Sequence, residues 1–245
     1  MTGVALHFLG RNTIPKHILN PKAMKKLILS CLGATLSISL FAQTIKLGAN
    51  NLVANQVYMS LEKFQGKDAL KVIKDSTVKG VDEATFVRIK DLDFKDGIIE
   101  VKVLSRLLKN ASPTARGFIG IAYRVNADNS KFECMYIRPT NGRADDQVRR
   151  NHSIQYFSYP DFKFDRLRKE APEMYESYAD MGLNEWITLK IEVNGKKAKL
   201  FLNDSKYPAL IVNDLKHGEG ISGGLGLFVD VGTEGYFRDL KITKK

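Results

Sequence analysis

The segment WITLKIEVNGKKAKLFLND, Trp186 to Asp204, constrains the fold more than any other part of the sequence. Apolar residues occupy every second position from Ile187 to Val193, with polar residues between them, as in a strand with one buried face. Asn194-Gly195 then predicts the positive φ angles of a tight hairpin turn, and Lys196 to Leu202 returns as the partner strand. This segment therefore predicts antiparallel β-structure.

Similar short runs, each bounded by Gly, Asn, Asp or Pro, occur along the rest of the chain. Together they give about a dozen short strands and almost no amphipathic helix, which predicts an all-β fold: a two-sheet antiparallel sandwich or jelly roll. The clearer strands are predicted at Ala84–Lys90, Gly97–Leu104, Gly117–Val125, Phe132–Ile137, Ala209–Val212, Gly224–Asp230 and Tyr236–Ile242, and weaker ones at Thr44–Leu47, Met59–Phe64 and Ala69–Ile73.

The N-terminal part of the sequence is typical of a secretory leader. From Met24 two lysines precede an apolar stretch that ends at Phe41, and the small residue Ala42 follows. This pattern predicts a signal peptide from Met24 to Ala42 and a secreted or periplasmic protein. Residues 1 to 23 are interpreted as an upstream start-site artefact, with an extended n-region as the alternative. Cys31 lies too close to the lysines for a lipoprotein signal, and no transmembrane helix is predicted.

Removal of the leader would leave residues 43 to 245 as a single β-sandwich domain, because no linker or internal repeat divides them. Only Cys134 would remain, so an internal disulfide is excluded. The chain carries 38 Lys and Arg against 27 Asp and Glu, a net charge of +11; five basic and no acidic residues lie in the first 42, which leaves +6. The basic residues are scattered, which argues against a nucleic-acid partner.

Four segments, GFIGIAYRV, SKFECMYIRP, EWITLKIEVNGKKAKLFLN and GYFRDLKI, resemble the concanavalin A-like lectin/glucanase superfamily. Within it the chain is most similar to the secreted 3-keto-disaccharide hydrolases, a laminin-G-like family with an edge-strand Glu, a Trp-containing hairpin and a terminal Phe-Arg strand. The resemblance runs from about Asp82 to Ile242. It departs from the family pattern at Ile187, Asp204 and Asp239. A long insertion from Thr140 to Met181 suggests a separate binding surface.

The resemblance also directs attention to carboxylates. Retaining glucanases of the superfamily carry two of them at alternate positions of one strand, about 5 Å apart, and this spacing is absent here. Glu133 matches the edge-strand Glu of the family. Its apolar neighbours on a sheet face would raise its pKa unless it is paired, so it is a candidate acid/base or ligand-binding group. The alternative is a structural ion pair with Arg124.

The stretch from Arg138 to Phe162 is rich in polar and aromatic residues and shows no sustained helical or strand period, so we predict a ligand-facing loop within an insertion of about residues 138 to 181. Arginines and carboxylates bind sugar hydroxyls through directed hydrogen bonds, and aromatic rings pack against sugar C–H groups. Internal ion pairs that brace the loop are the alternative. The candidate ligand-binding residues are Arg138, Asn141, Arg143, Asp145, Arg149, Arg150, Asn151, Tyr156 and Tyr159, with Asp146 and His152 as further candidate catalytic residues.

No metal or cofactor is predicted. Beyond the leader the chain has two histidines, His152 and His217, which are too isolated for a zinc site. The segment with Asn126, Asp128 and Asn129 offers oxygen ligands for calcium, but a hairpin turn requires the same residue types and is preferred.

Three functions fit these observations. The first is a carbohydrate-binding jelly roll of glycan utilisation. The second is a glycoside hydrolase or lyase that uses Glu133, Asp146 or His152, and the third is a protein-interaction module. An enzyme needs titratable groups that converge on one ligand, whereas a binding protein needs only contacts, so their convergence separates the first two.

Overall fold

The computed structural model describes residues 42–245, so the predicted leader, apart from Ala42, lies outside the described residues. The described part contains 15 strands, three short α-helices and a 3₁₀ helix at Ala49–Asn51. The strands are β1 Gln43–Ile45, β2 Leu52–Asn55, β3 Val57–Phe64, β4 Lys67–Lys74, β5 Phe86–Ile89, β6 Gly97–Leu107, β7 Ile119–Val125, β8 Phe132–Ile137, β9 Ile154–Tyr159, β10 Glu176–Ser177, β11 Ile187–Asn194, β12 Lys197–Leu202, β13 Leu210–Val212, β14 Gly224–Val229 and β15 Thr233–Lys244. The helices are α1 Pro139–Gly142, α2 Gln147–Asn151 and α3 Phe164–Glu170.

The strands form two antiparallel sheets that pack face to face. Sheet I has eight strands in the order β13-β12-β11-β6-β15-β4-β3, with β1 also paired to β15. Sheet II has seven strands in the order β10-β9-β8-β7-β14-β5-β2. The predicted two-sheet jelly-roll sandwich is confirmed. Among the described residues, no helix is long and apolar enough to cross a membrane.

The hairpin β11–β12 forms as the alternation of apolar residues predicts, and β11 buries every second side chain. The turn differs in one detail. Asn194 pairs with Lys197, so the two loop residues are Gly195 and Lys196, and only Gly195 has a positive φ of 59°. A glycine at the first loop position is the pattern of a type II′ turn, so the prediction that Asn194 also has a positive φ is wrong.

The space between the sheets is filled by the inward faces of both. On sheet I, Ile99 and Val101 of β6 are fully buried. A Cβ atom built on Gly235 of β15 would clash with the side chains of Val229 and Ile119 of sheet II, so these side chains pack directly against the backbone of β15. This close packing of apolar side chains is the main source of stability in such a domain.

Sheet II is buried on its outer face as well, that is, the face turned away from sheet I. Aromatic rings fill this outer face with edge and tilted contacts at centroid distances of 5.4 to 5.8 Å. Leu167 of α3 and Ala84 of the segment before β5 belong to the same core. The rings of this cluster are Phe86, Phe132, Tyr136, Phe157 and Phe228.

The stretch from Arg138 to Phe162 is not the continuous loop that the sequence suggested. It contains α1, α2 and β9, and β9 pairs with β8 along its whole length. The prediction failed because both faces of β9 are buried, so the strand lacks the alternation that marks a half-exposed one. The insertion therefore contributes an interior strand of sheet II in addition to surface loops.

The hairpin turn gives a direct test of backbone strain. We expect Gly195→Ala to lower the free energy of unfolding by about 1 to 2 kcal/mol, because Ala tolerates a φ near +59° poorly. The nearest neighbour of the added Cβ lies at 3.5 Å, so steric overlap adds little. Urea denaturation of the purified protein measures the change. Gly220→Ala is the matched control, because its φ is not positive and no atom lies within 4 Å of the added Cβ. Equal effects of the two substitutions would contradict the assignment of strain to Gly195.

Candidate functional site

A polar cleft of about 390 Å³ opens at one end of sheet II. We call it the Asp82 cleft. Two buried carboxylates lie in it together with several cationic side chains, and aromatic rings complete the wall. Its charged and titratable lining residues are Asp82, Asp146, Asp230, Arg116, Arg138, Arg149, Arg168 and His152.

Sheet II brings these residues together from distant parts of the chain. Asp82 precedes β5 and Asp230 follows β14, and these two strands are paired, so both carboxylates lie at the same end of the sheet. Arg138 follows β8, which is paired with β7, and β7 separates β8 from β14. The insertion adds Arg149 from α2 and Arg168 from α3.

Asp230 is the anchor of the cleft. It is 2% exposed, and its Oδ1 atom accepts a hydrogen bond of 2.6 Å from the ammonium group of Lys74, which is also buried. The Oδ2 atom accepts a 2.9 Å bond from the backbone N–H of Asp82. A buried carboxylate with a cationic partner and a backbone donor is fixed in position, so Asp230 also fixes the backbone at Asp82.

Asp82 has three unusual properties. Its side chain lies in the interior, with the residue 1% exposed, and its φ of 52° lies in the left-handed region, which is unfavourable for a residue other than Gly. Burial, and then the negative charge of Asp230, raise the pKa of Asp82 to about 7. A hydrogen bond from Phe164 N–H at 2.9 Å and the charge of Arg138 oppose this rise. The carboxyl group can therefore gain or lose a proton near neutral pH.

A third buried carboxylate, Glu176 of β10, organises the cations beside the cleft. It accepts hydrogen bonds from Arg138 at 3.1 Å and from Arg168 Nε at 2.9 Å. Burial works against its ionisation, but the hydrogen bond from Arg168 and the charge of Arg138 outweigh burial and hold the pKa of Glu176 below its usual range. Glu176 is thus a permanent negative charge.

His152 lies between Glu176 and the cleft. Its Nδ1 atom is 3.0 Å from Glu176 Oε2, at an angle that does not satisfy hydrogen-bond geometry. Burial lowers the pKa of His152, and the nearby charge of Glu176 only partly offsets this effect. The imidazole is therefore mainly neutral at pH 7.

Five of the predicted site residues line the Asp82 cleft. Two of them, Asn141 and Asp146, hold its wall together. Asn141 donates to the carbonyl oxygen of His152 at 3.0 Å and accepts from Arg149 Nε at 3.0 Å. Asp146 caps α2 by accepting a 3.0 Å bond from the backbone N–H of Arg149. The five are Arg138, Asn141, Asp146, Arg149 and His152.

Glu133 does not line the cleft. It is fully buried between the sheets, where Oε2 accepts from the hydroxyl of Tyr156 at 2.6 Å and Oε1 from the backbone N–H of His217 at 2.9 Å. The suggested pair with Arg124 is also wrong, because Arg124 bonds Asp96 at 3.1 Å and three backbone carbonyl oxygens. Oε1 attaches the loop around His217 to sheet II, and Oε2 holds the hydroxyl of Tyr156 on the neighbouring strand β9, so both oxygens have a structural role.

The predicted stacking role of the two tyrosines does not fit their positions. Tyr156 is fully buried and its hydroxyl is engaged by Glu133. Tyr159 is half-buried, stacks on Phe132 at 5.0 Å and donates to Glu83 at 3.1 Å. Neither ring lines the Asp82 cleft.

The remaining predicted ligand-binding residues lie outside the cleft, and most of them brace the insertion. Arg143 forms ion pairs with Asp180 at 2.8 Å and Glu185 at 2.5 Å. Arg150 donates to the hydroxyl of Tyr178 at 2.7 Å. Asn151 accepts a 2.7 Å bond from Gln147, and Asp145 is exposed at the surface.

The turn with Asn126, Asp128 and Asn129 uses its oxygen atoms internally. Asp128 accepts two hydrogen bonds from Ser130, and Asn129 accepts one of 2.6 Å from Arg88. No group of three or more His, Cys, Asp or Glu residues within 42–245 has an arrangement that could hold a metal ion.

Two antiparallel sheets that pack face to face define a jelly-roll sandwich. Residues 54–243 match the family described as 3-keto-alpha-glucoside-1,2-lyase-like domains, and the chain belongs to this family. The predicted resemblance to this family is therefore confirmed. A search of curated proteins finds no match.

Solved structures with a similar fold have low sequence identity to this chain. The carbohydrate-binding module CBM66 from Bacillus subtilis has 12% identity and a TM-score of 0.49, over 78% of this chain and 97% of that one. A protein of unknown function with a galectin-like fold from Bacillus subtilis has 10% identity and a TM-score of 0.49, over 84% and 95%. Domain 4 of AbnA, a GH43 extracellular arabinanase from Geobacillus stearothermophilus in complex with arabinotriose, has 10% identity and a TM-score of 0.44, over 79% and 81%.

The raised pKa of Asp82 predicts a specific pH dependence of stability. The carboxyl group of Asp82 has a pKa of 3.8 in the unfolded chain and about 7 in the folded protein, so between these values the folded state binds more protons. Its contribution to the free energy of unfolding is therefore full below pH 4 and is lost as the pH rises through 7. We expect the stability of the wild type relative to Asp82→Asn to fall from pH 4 to pH 8, by on the order of 4 kcal/mol. Urea denaturation across this range measures the difference. The exposed Asp93→Asn serves as control, and a pH-independent difference between wild type and Asp82→Asn would contradict the shift.

Proposed function

We propose that this protein is a lyase that cleaves a 3-keto-glycoside by β-elimination, with Asp82 as the group that accepts the proton. The observation that carries the proposal is a buried carboxyl group, with a pKa raised to about 7, in the wall of a cleft. Such a pKa is suited to proton transfer at neutral pH. The family description supports the substrate class, since it refers to 3-keto-alpha-glucosides and a 1,2-lyase.

The chemistry follows from the ketone. A carbonyl at C3 makes the hydrogen on C2 acidic, because the electron pair of the C2–H bond can move into an enolate. Asp82 takes this proton as its carboxylate. The enolate electrons then form the C1–C2 double bond as the C1–O bond breaks, and the glycosidic oxygen leaves with a proton as an alcohol. The products are an unsaturated keto sugar and the alcohol, without any oxidant or reductant.

The surroundings of Asp82 favour this reaction. Four arginines line the cleft, and N–H groups of this kind stabilise the negative charge that develops on the substrate oxygen. Asp230 fixes the position of Asp82, so the proton acceptor does not have to reorganise during the reaction. His152 lines the same cleft, and its protonated form is a candidate for the group that passes a proton to the leaving oxygen.

The same observations favour an enzyme over a binding or interaction protein. A carboxyl group with a raised pKa and a left-handed backbone lowers the stability of the fold at neutral pH. Sugar binding alone needs hydrogen bonds and apolar contacts and gains nothing from this arrangement. We further propose that the reaction takes place outside the cytoplasm, on the basis of the predicted signal peptide.

We expect Asp82→Asn to lower kcat on p-nitrophenyl 3-keto-α-glucoside by about 10² to 10⁴-fold, because an amide cannot accept the proton. Release of p-nitrophenol measures turnover. The kcat/KM of the wild type should rise with pH through a value near 7, since the base acts in its ionised form. Deuterium at C2 of the substrate should slow the reaction if C2–H cleavage limits the rate.

Two controls decide between the alternatives. The corresponding glucoside without the ketone should not be cleaved, because its C2–H is not acidic. Glu133→Gln should reduce stability more than turnover, since both oxygens of Glu133 have structural partners. Ketone-independent cleavage would show a hydrolase instead, and saturable sugar binding without any product would leave a binding protein.

A further inference from the structure

The four arginines of the Asp82 cleft fall into two pairs according to their partners. Arg138 and Arg168 both donate to the carboxylate of Glu176. The negative charge of Glu176 therefore offsets part of their positive charge. Arg116 and Arg149, the second pair, line the same cleft but have a different environment.

Neutral oxygen atoms hold both guanidinium groups of the second pair. Arg149 donates to the side-chain oxygens of Asn141 at 3.0 Å and Thr140 at 3.2 Å. Arg116 donates to two backbone carbonyl oxygens of the loop that carries it, at 2.6 and 2.8 Å. These bonds orient the guanidinium groups without neutralising them, so their charge stays available to a ligand.

Within residues 42–245, no carboxylate lies within ion-pair distance of Arg116 or Arg149. The Nη1 atom of Arg149 and the Nη2 atom of Arg116 likewise have no acceptor among those residues. Burial, and then the charges of Arg149 and Arg138, lower the pKa of Arg116. Two positive charges that are partly buried close together destabilise the folded protein unless an anion lies beside them.

We propose that Arg116 and Arg149 bind an anionic group on the sugar ligand, either a carboxylate or a phosphate or sulfate ester. The proposal rests on the proposed function, because it specifies the substrate class for the same cleft. Guanidinium groups are suited to such oxyanions, since their planar N–H groups donate two parallel hydrogen bonds to one anion. The preferred substrate is thus a 3-keto-glycoside that carries a negative charge.

The surplus positive charge has one competing explanation, which is stabilisation of the enolate during catalysis. This role would be the same for neutral and anionic substrates. An anion site, in contrast, discriminates between them in binding. The two explanations therefore differ in whether Arg116→Gln and Arg149→Gln change the preference or only the overall rate.

Calorimetric titration of the purified protein with glucose, glucuronic acid, glucose 6-phosphate and glucose 6-sulfate tests the site. We expect at least one anionic sugar to bind about tenfold more tightly than glucose, and each of Arg116→Gln and Arg149→Gln to remove this preference. Preference for glucuronic acid alone assigns a carboxylate, and preference for the two esters assigns phosphate or sulfate. Added salt should weaken the preference.

Arg143→Gln is the matched control, because Arg143 lies outside the cleft and pairs with Asp180 and Glu185. It should keep the preference. Arg116→Gln carries the test if Arg149→Gln unfolds, because the side chain of Arg116 bonds only its own loop. Equal affinity for glucose and all three anionic sugars, or an equal loss for every ligand in the variants, would overturn the proposal.

Turnover separates this proposal from the lyase function. Cleavage of an uncharged 3-keto-glucoside and of its 6-carboxylate with equal kcat/KM would overturn the anion site and leave the lyase function intact. Arginine-dependent binding of an anionic sugar, without cleavage of either keto substrate, would support the anion site and overturn the lyase function.

Discussion

The buried ion pair between Lys74 and Asp230 supports the whole Asp82 cleft. Burial of a lone charge is costly, and Lys74 supplies a cationic partner for the carboxylate of Asp230 at 2.6 Å. The second oxygen of Asp230 then holds the backbone N–H of Asp82, and the carboxyl group of Asp82 holds the N–H of Phe164, where α3 begins. One electrostatic contact between β4 of sheet I and the residue that follows β14 of sheet II thus fixes both the proton-transfer group and the helix beside it.

This arrangement explains why the cleft lies at the end of sheet II and not on its outer face. Aromatic rings fill the outer face, and Leu167 of α3 is buried with them, so no open surface is left there for a sugar. The end of the sheet is different, because strands stop there and their last residues face a polar cleft. Arg138 and Asp230, each just beyond the end of a strand, lie there without interrupting the apolar core.

The sequence predicted those parts of the fold whose pattern is local. The bounds of β8 agree residue for residue with Phe132–Ile137, and the hairpin β11–β12 needed only a shift of its turn by one residue. The prediction missed β9 because it is buried on both faces. In the site, the sequence singled out five residues of the insertion that line the cleft, whereas Asp82 and Asp230 were not predicted. They are 148 residues apart, and only the pairing of β5 with β14 brings them together.

The charges of the cleft are coupled to one another, because few of them face bulk water. The charge of Asp230 raises the pKa of Asp82, and the charge of Arg138 opposes the rise. An anionic group held by Arg116 and Arg149 would add a further negative charge to the same cleft, so it would favour the protonated form of Asp82. Once the C2 proton has been transferred, this effect stabilises Asp82 as the acid. Binding of a negatively charged substrate would therefore raise the pKa of Asp82. Asp82 would become a stronger base, but a smaller fraction of it would be ionised at neutral pH.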